Sequence, residues 1–317
     1  MAWPASYEKH IRSSIPIILC ANLKGGVGKT TIAANLASYF EKEHGERILA
    51  IDLDYQGSLS SMLLDREARR TKASADAAIT LLSGNASGQW LNANSLPIAG
   101  SRRDSRVIEC FYEFANFETK LTIDWLINEP PHDMRYNLAR VLLSDDVQQK
   151  YHRVIIDSPP RVTPGLINAL CTSTHLLIPT VLDVLSAEAV GTFLRYVRTM
   201  KTRLYPELEL AGVVGSLKRF NTDRMMDSEK EALALLSRVI PKEWQHGQFV
   251  IEKGFIPRAE AIAEAAGQRT IYHQHPEYFK NLGKVVYERT RRQGGQHAHR
   301  LANLNLSPPI AVADTGT

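Results

Sequence analysis

The apolar positions of this chain gather into short continuous runs. Residues 16–22 (PIILCAN), 47–52 (RILAID), 153–157 (RVIID), 175–179 (HLLIP) and 210–217 (LAGVVGSL) each read as a strand buried on both faces. A strand covered on one side only would alternate apolar and polar residues instead. After the first run the period changes. Ile32, Leu36, Tyr39 and Phe40 fall on one stripe at helical spacing, so residues 28–43 are predicted to form a helix that Gly45 ends. Helical segments also separate several of the later runs. Strand, helix and strand in repetition predict a doubly wound, mostly parallel α/β sheet with helices on both faces and right-handed crossovers.

Two stretches fall outside this pattern. Residues 83–106 (SGNASGQWLNANSLPIAGSRRDSR) are rich in Ser, Asn, Gly and Arg and read as a surface loop or an insertion. Residues 301–317 read as a flexible tail. No boundary between two domains is visible, so residues 1–300 are expected to form a single domain. The 317 residues suffice for a sizeable core, and 44% hydrophobic with 23% charged residues is ordinary for a soluble globular protein. A net charge of +4 is too mild to announce a nucleic acid partner; where the charge sits matters more.

Cys20, Cys110 and Cys171 lie far apart with no C-x-x-C spacing. That excludes a zinc or iron–sulfur site of the usual spacing and fits a reducing cytoplasm. The opening MAWPASYEKH lacks the apolar stretch of a signal peptide. The most apolar region, 176–194, is interrupted by Asp183 and Glu188, so no transmembrane helix is expected.

The chemistry concentrates in ANLKGGVGKTTIAANLA, residues 21–37. Gly25, Gly26 and Gly28 let the backbone turn its N–H groups toward an anion, and the following helix adds the positive end of its dipole. Lys29 would neutralise β- and γ-phosphates, and the Thr30 hydroxyl would bind Mg²⁺. A dinucleotide fingerprint is disfavoured because its third glycine is missing. RVIIDSPP (153–160) ends a buried strand on Asp157, at the sheet edge where ligands bind in such folds, so Asp157 is a candidate for holding a magnesium-bound water. Asp52 and Asp54, in ILAIDLDYQGSLS, are two apart and share a face; they serve either catalysis or the capping of the next segment.

The loop Lys24-Gly25-Gly26-Val27-Gly28-Lys29-Thr30-Thr31 resembles the deviant Walker A motif of the ParA/MinD family of P-loop ATPases. The resemblance implies nucleotide binding by all eight residues, with ATP and Mg²⁺ as cofactors. It also implies that Lys24 reaches across a homodimer interface to the partner's nucleotide, as an arginine finger does; otherwise Lys24 is an exposed loop lysine. D-x-D-x-Q-G at 52–57 resembles a second family segment. From it Asp54 is expected to orient the attacking water, and Asp52 to lie near the magnesium shell. Tyr55 stands where proline is common. LINALCTSTHLLIPTVLDVLSAEAVGTFL (166–194), LYPELELAGVVGSL (204–217) and GFIPRAEAIAEAAGQRTIY (254–272) extend the likeness over most of 16–290, apart from 65–130.

The nearest likeness is to ParA/Soj partition ATPases without an N-terminal helix-turn-helix domain, for which about fifteen residues before the first strand are too few. Such proteins imply an ATP-dependent homodimer that binds nonspecific DNA on the nucleoid, a ParB-like or cargo-borne activator, and segregation of a plasmid, chromosome or other cargo. Two basic stretches are candidates for DNA: the helix near 187–204, with Arg195, Arg198 and Arg203, and segment 278–300. LANLNLSPPIAVADTGT offers no basic amphipathic helix, which argues against docking on a membrane. The alternatives are a membrane-associated, MinD-like positioning regulator and a phosphoryl-transfer enzyme of the same superfamily.

Overall fold

A computed structural model describes residues 15–65, 77–128, 133–218, 225–244, 247 and 249–291. The proposed tail, 301–317, lies outside them. Within them β1 (Ile17–Cys20), β2 (Ile48–Asp52), β3 (Leu96–Pro97), β4 (Arg106–Ile108), β5 (Arg153–Asp157), β6 (His175–Val181) and β7 (Glu209–Ser216) form one sheet. Their order is β3-β4-β2-β5-β1-β6-β7, parallel except for β3. Every residue of β1, β2 and β5 is buried, as continuous apolar runs require.

The pleat sends successive residues to opposite faces, and each face has its own core. Ile17 and Leu19 join Leu49, Ile51, Val154 and Ile156 on one side. There they meet α5 (Glu113–Ile127), α6 (Asn137–Leu142), α8 (Pro164–Thr172), α9 (Val184–Leu204) and α10 (Asp227–Glu243). Ile18, Cys20, Ile48, Ala50 and Ile155 face the other side. That side is covered by α1 (Lys29–His44), α2 (Ser58–Leu63), α11 (Glu260–Ala265) and α12 (Lys280–Thr290). The remaining short helices are α3 (Ala77–Leu82), α4 (Gly88–Asn94) and α7 (Asp145–Gln148). The α9 stripe of Val190, Phe193, Leu194 and Val197 is fully buried, which stabilises the fold by about 1.5–3 kcal/mol for each side chain.

Residues 83–106 are not a loop outside the fold. They contain α4, then the edge strand β3, and run into β4 beside it. Strands of two and three residues are too short to display a period. Pro97, which has no N–H to donate, is tolerated because β3 is an edge strand.

Candidate functional site

Register brings the chemistry together. Cys20 pairs with Asp157 and Asp52 pairs with Asp157, so β1, β5 and β2 all end at one level. The glycine loop that follows β1 therefore stands beside both carboxylates, at the carboxyl edge of the sheet. Gly26 and Gly28 take φ of 70° and 82°, in the left-handed region where glycine has no steric penalty. A Cβ at Gly25 or Gly26 would meet no atom within 4 Å, so both open onto the cleft.

Two residues that the sequence reading passed over hold the loop. The Asn22 amide donates to the Pro179 carbonyl (2.8 Å), and its Oδ1 accepts from the Lys24 N–H (3.0 Å). The Ser216 hydroxyl, at the end of β7, donates to the Val27 carbonyl (2.7 Å). Asn22 had a signal, a buried polar residue between an apolar strand and the glycines. Ser216 had none, because it lies 189 residues from its partner.

Lys29 opens α1 and is buried, with its amine 3.3 Å from the Lys24 carbonyl. Burial pulls its pKa down, while Asp157 and Asp54 pull it up; the net shift is downward. The Thr30 hydroxyl donates to Asp157 Oδ2 (2.6 Å). The other oxygen of Asp157 is buried with no hydrogen-bond partner. An orphaned buried carboxylate oxygen is costly, and burial pushes Asp157 up to about 7 against the pull of Thr30 and Lys29. A hydroxyl and a half-satisfied carboxylate beside an anion cradle fit Mg²⁺, which takes one or two protein oxygens and otherwise uses phosphates and water. Among the described residues no cluster of three or more His, Cys, Asp or Glu is arranged to hold an ion by itself.

The two aspartates after β2 part company. Asp52 is fully buried; Oδ1 accepts from the Asp54 N–H (3.1 Å), and Oδ2 from the N–H and hydroxyl of Ser60 (both 2.8 Å). It thus braces the first turn of α2, which is the capping alternative raised from the sequence. Asp54 lines the cleft with Gln56, whose N–H it accepts (3.1 Å). Gly57 lets this segment turn: its φ is 63°, and a Cβ there would come 2.7 Å from the Cys110 carbonyl. Tyr55 lies under the Arg161 guanidinium (4.6 Å), which approaches Glu118 of α5 at 3.6 Å. The carboxylate loop, the segment after Pro160 and α5 are so linked.

The cleft holds about 820 Å³. It runs from Gly25–Thr31 past Ser216 to an apolar end made by Leu217, Ile256, Ala259, Ile262 and Ala263. Leu217 has φ 57°, a strained conformation for a leucine, and the backbone there is clamped by Lys218 N–H to the Ile256 carbonyl (3.0 Å). The size and the graded polarity suit a nucleotide, with its phosphates at the loop and its base at the apolar end. Sequence reasoning matched 254–272 but gave it no role.

Lys24 does not line this cleft. Its amine turns to the N-terminus of α9, 2.5 Å from the Ser186 hydroxyl and 3.6 Å from Asp183. Burial raises the pKa of Asp183, but the Ser186 hydroxyl and N–H, helped by Lys24, hold it below the ordinary value. Of the candidate DNA residues, Arg195 and Arg198 both pair with Glu243 of α10 at 3.1 Å, and Lys280 pairs with Glu43 at 3.3 Å. Arg289 donates to the Ala211 carbonyl inside the fold. Arg203 is exposed, and residues 292–300 lie outside the described residues.

No helix among the described residues is long and apolar enough to cross a membrane. Residues 15–210 match the family model described as an AAA domain, AAA_31. The chromosome-partitioning ATPase Soj of Thermus thermophilus is 26% identical over 296 residues, spanning 92% of this chain and 94% of that protein. The sporulation initiation inhibitor Soj of Bacillus subtilis is 28% identical over 251 residues, covering 78% and 87%. Among solved structures, apo McdA of Cyanothece shares the fold, with a TM-score of 0.70 at 20% identity over 87% of this chain and 99% of that one. The chain belongs to the AAA-domain family, and its motifs, its relatives and its seven-stranded sheet make it ParA/Soj-like.

Proposed function

We propose that this chain is a Mg²⁺-dependent partition ATPase. It closes with ATP into a nucleotide-sandwich homodimer, binds nonspecific DNA on the nucleoid, and lets go after slow hydrolysis that a ParB-like or cargo-borne partner stimulates. The observation that carries the reading is the position of Lys24. A lysine that belongs to the phosphate loop stands outside that loop's own cleft, 38% exposed at its rim. A cation so placed is poised to serve a second molecule's phosphates.

In this reading Gly25, Gly26, Val27, Gly28, Lys29, Thr30 and Thr31 hold the triphosphate, and Thr30 with Asp157 holds the ion. Mg²⁺ supplies charge neutralisation at the phosphates. Asp54 orients the attacking water, and Asp52 acts on the ion's shell through the backbone it braces. The γ-phosphate stabilises only the closed dimer, so its loss removes the differential affinity that favours the DNA-bound state. Sedimentation with a non-hydrolysable ATP analogue tests this. The native protein should dimerise and Lys24→Ala should stay monomeric; equal dimerisation by both would overturn the trans role.

A further inference from the structure

Of the fifteen residues of α5, only Phe114 and Glu118 are buried. One of the two anchors of this helix is therefore a carboxylate, and it does not line the nucleotide cleft. A carboxylate is costly to bury unless donors meet it. Among the described residues its donors come from one short stretch, 161–165. Glu118 Oε1 accepts from the Gly165 N–H (2.8 Å), the Thr163 hydroxyl donates to the carboxylate, and the Arg161 guanidinium stands 3.6 Å from Oε2. Burial pushes the Glu118 pKa up, these three groups pull it down, and the charge of Asp54 adds to the rise; the net shift is upward. The seat is close-fitting: a Cβ at Gly165 would come 2.8 Å from Glu118 Oε1 and 3.5 Å from the Phe114 ring.

Helix capping explains only part of this. α8 begins at Pro164, and Thr163 already caps it by accepting the Leu166 N–H (3.3 Å). Glu118 takes up the Gly165 N–H, a further orphan donor of that first turn. Arg161 has no place in such a cap. Its guanidinium lies instead over the ring of Tyr55, 4.6 Å from the centroid. Tyr55 also meets Tyr112, the residue before α5, edge to face at 5.8 Å.

Tyr55 directly follows Asp54, in the segment between β2 and α2. Backbone bonds tie this segment at Leu53, whose N–H donates to the Asp157 carbonyl (3.1 Å), and at Gly57, whose N–H donates to the Asp54 carbonyl (2.8 Å). The Tyr55 ring adds a side-chain attachment to two other segments, through Arg161 and Tyr112. A group that must aim a water molecule loses rate steeply when it is displaced, so the attachment beside Asp54 matters to the chemistry.

We propose that Glu118 and Arg161 are positioning residues for ATP hydrolysis. Glu118 holds Arg161 over Tyr55, and Tyr55 in turn fixes the Asp54 carboxylate where it orients the attacking water. The inference rests on the role proposed for Asp54. It makes α5 a lever on the rate: a small shift of a helix with two buried anchors would move Arg161, and with it the Asp54 segment, without touching the phosphates.

The test is single-turnover hydrolysis by the full chain, in excess over ATP and with Mg²⁺, beside equilibrium ATP binding. Arg161→Gln and Tyr55→Leu should each lower the rate constant about three- to tenfold, the range a cation–π contact corresponds to. ATP affinity, ATP-dependent dimerisation and melting temperature should stay close to native, because the contact acts on the chemical step. Tyr55→Phe, which keeps the ring, should recover most of the loss, and Arg161→Lys, which keeps the charge, part of it. Glu118→Gln keeps an acceptor for Gly165 but gives up the charge beside Arg161. It should slow hydrolysis likewise, and Glu118→Gln/Arg161→Gln should be no slower than Arg161→Gln alone. Native rates in Arg161→Gln and Tyr55→Leu, beside an inactive Asp54→Ala, would overturn the positioning role and leave Asp54 standing. A rate loss matched by weaker ATP binding or dimerisation would assign these contacts to those steps and overturn it as well. Native hydrolysis by Asp54→Ala would overturn the role of Asp54, and this inference with it.

Discussion

Asp183→Asn should tighten the ATP-dependent dimer, because Asp183 holds Lys24 within its own subunit. Asn keeps the helix start intact. Asp183 caps α9 by accepting the Ser186 N–H (2.7 Å), and asparagine caps equally well. What disappears is the charge 3.6 Å from the Lys24 amine. Both side chains are about two-fifths exposed (38% and 43%), so solvent screens the pair and it is worth only about 0.5 kcal/mol. Each protomer must release its lysine for the two to exchange, so the dimer gains twice that, about 1 kcal/mol. The dimer dissociation constant should fall about fivefold. Sedimentation equilibrium with a non-hydrolysable ATP analogue reads this directly. Raising the salt should shrink the difference between variant and native protein, since the lost pair is exposed. A dimer no tighter than the native one would refute the idea that this contact competes with the trans role of Lys24.

Asp157→Asn should raise the melting temperature of the nucleotide-free protein while abolishing the gain that Mg²⁺ adds to nucleotide affinity, since it removes an orphaned buried charge. The same variant should flatten the stability curve between pH 3.8 and about 7. There the folded carboxyl keeps a proton that the unfolded chain has lost, so native stability falls as pH rises. Asp52→Ala should cost about 2–4 kcal/mol in denaturant unfolding, by leaving the Ser60 and Asp54 N–H groups buried without an acceptor; a loss below about 0.5 kcal/mol would mean that the brace is not structural. Ser216→Ala should weaken nucleotide binding by up to about tenfold in a calorimetric titration, through loss of the bond to Val27, and should cost about 1–3 kcal/mol in denaturant unfolding by leaving that buried carbonyl without its donor.

The central sheet was legible because both faces of β1, β2, β5 and β6 are buried, and burial on both faces writes a continuous apolar run. The phosphate loop was legible because its geometry needs glycine at fixed places, Gly26 and Gly28 above all. The short strands β3 and β4 left no trace. Two or three residues carry no period, and the Ser, Arg and Gly around them are equally at home in a loop. Distance along the chain hid the rest. Ser216 reaches Val27, and Lys24 meets Ser186 162 residues away, by contacts that only the folded sheet creates. The helical stripe of α9 was predicted correctly; that Arg195 and Arg198 share Glu243 of α10 was not legible, because the two helices meet only in the fold.

The exchange of lysines between two molecules is tested most directly by mixing two inactive variants. Lys24→Ala keeps its own Asp54 but has no cation to offer; Asp54→Ala offers its Lys24 but cannot orient water. In a mixed dimer the Lys24→Ala protomer receives the partner's lysine, and one complete site is rebuilt. ATP turnover should therefore reappear on mixing, below the ceiling of about a quarter of the native rate per total protein that random pairing would give, because the mixed dimer is held by one exchanged lysine instead of two. No turnover above the sum of the separate variants, with mixed dimers demonstrated by mass, would mean that Lys24 serves its own nucleotide and would contradict the account.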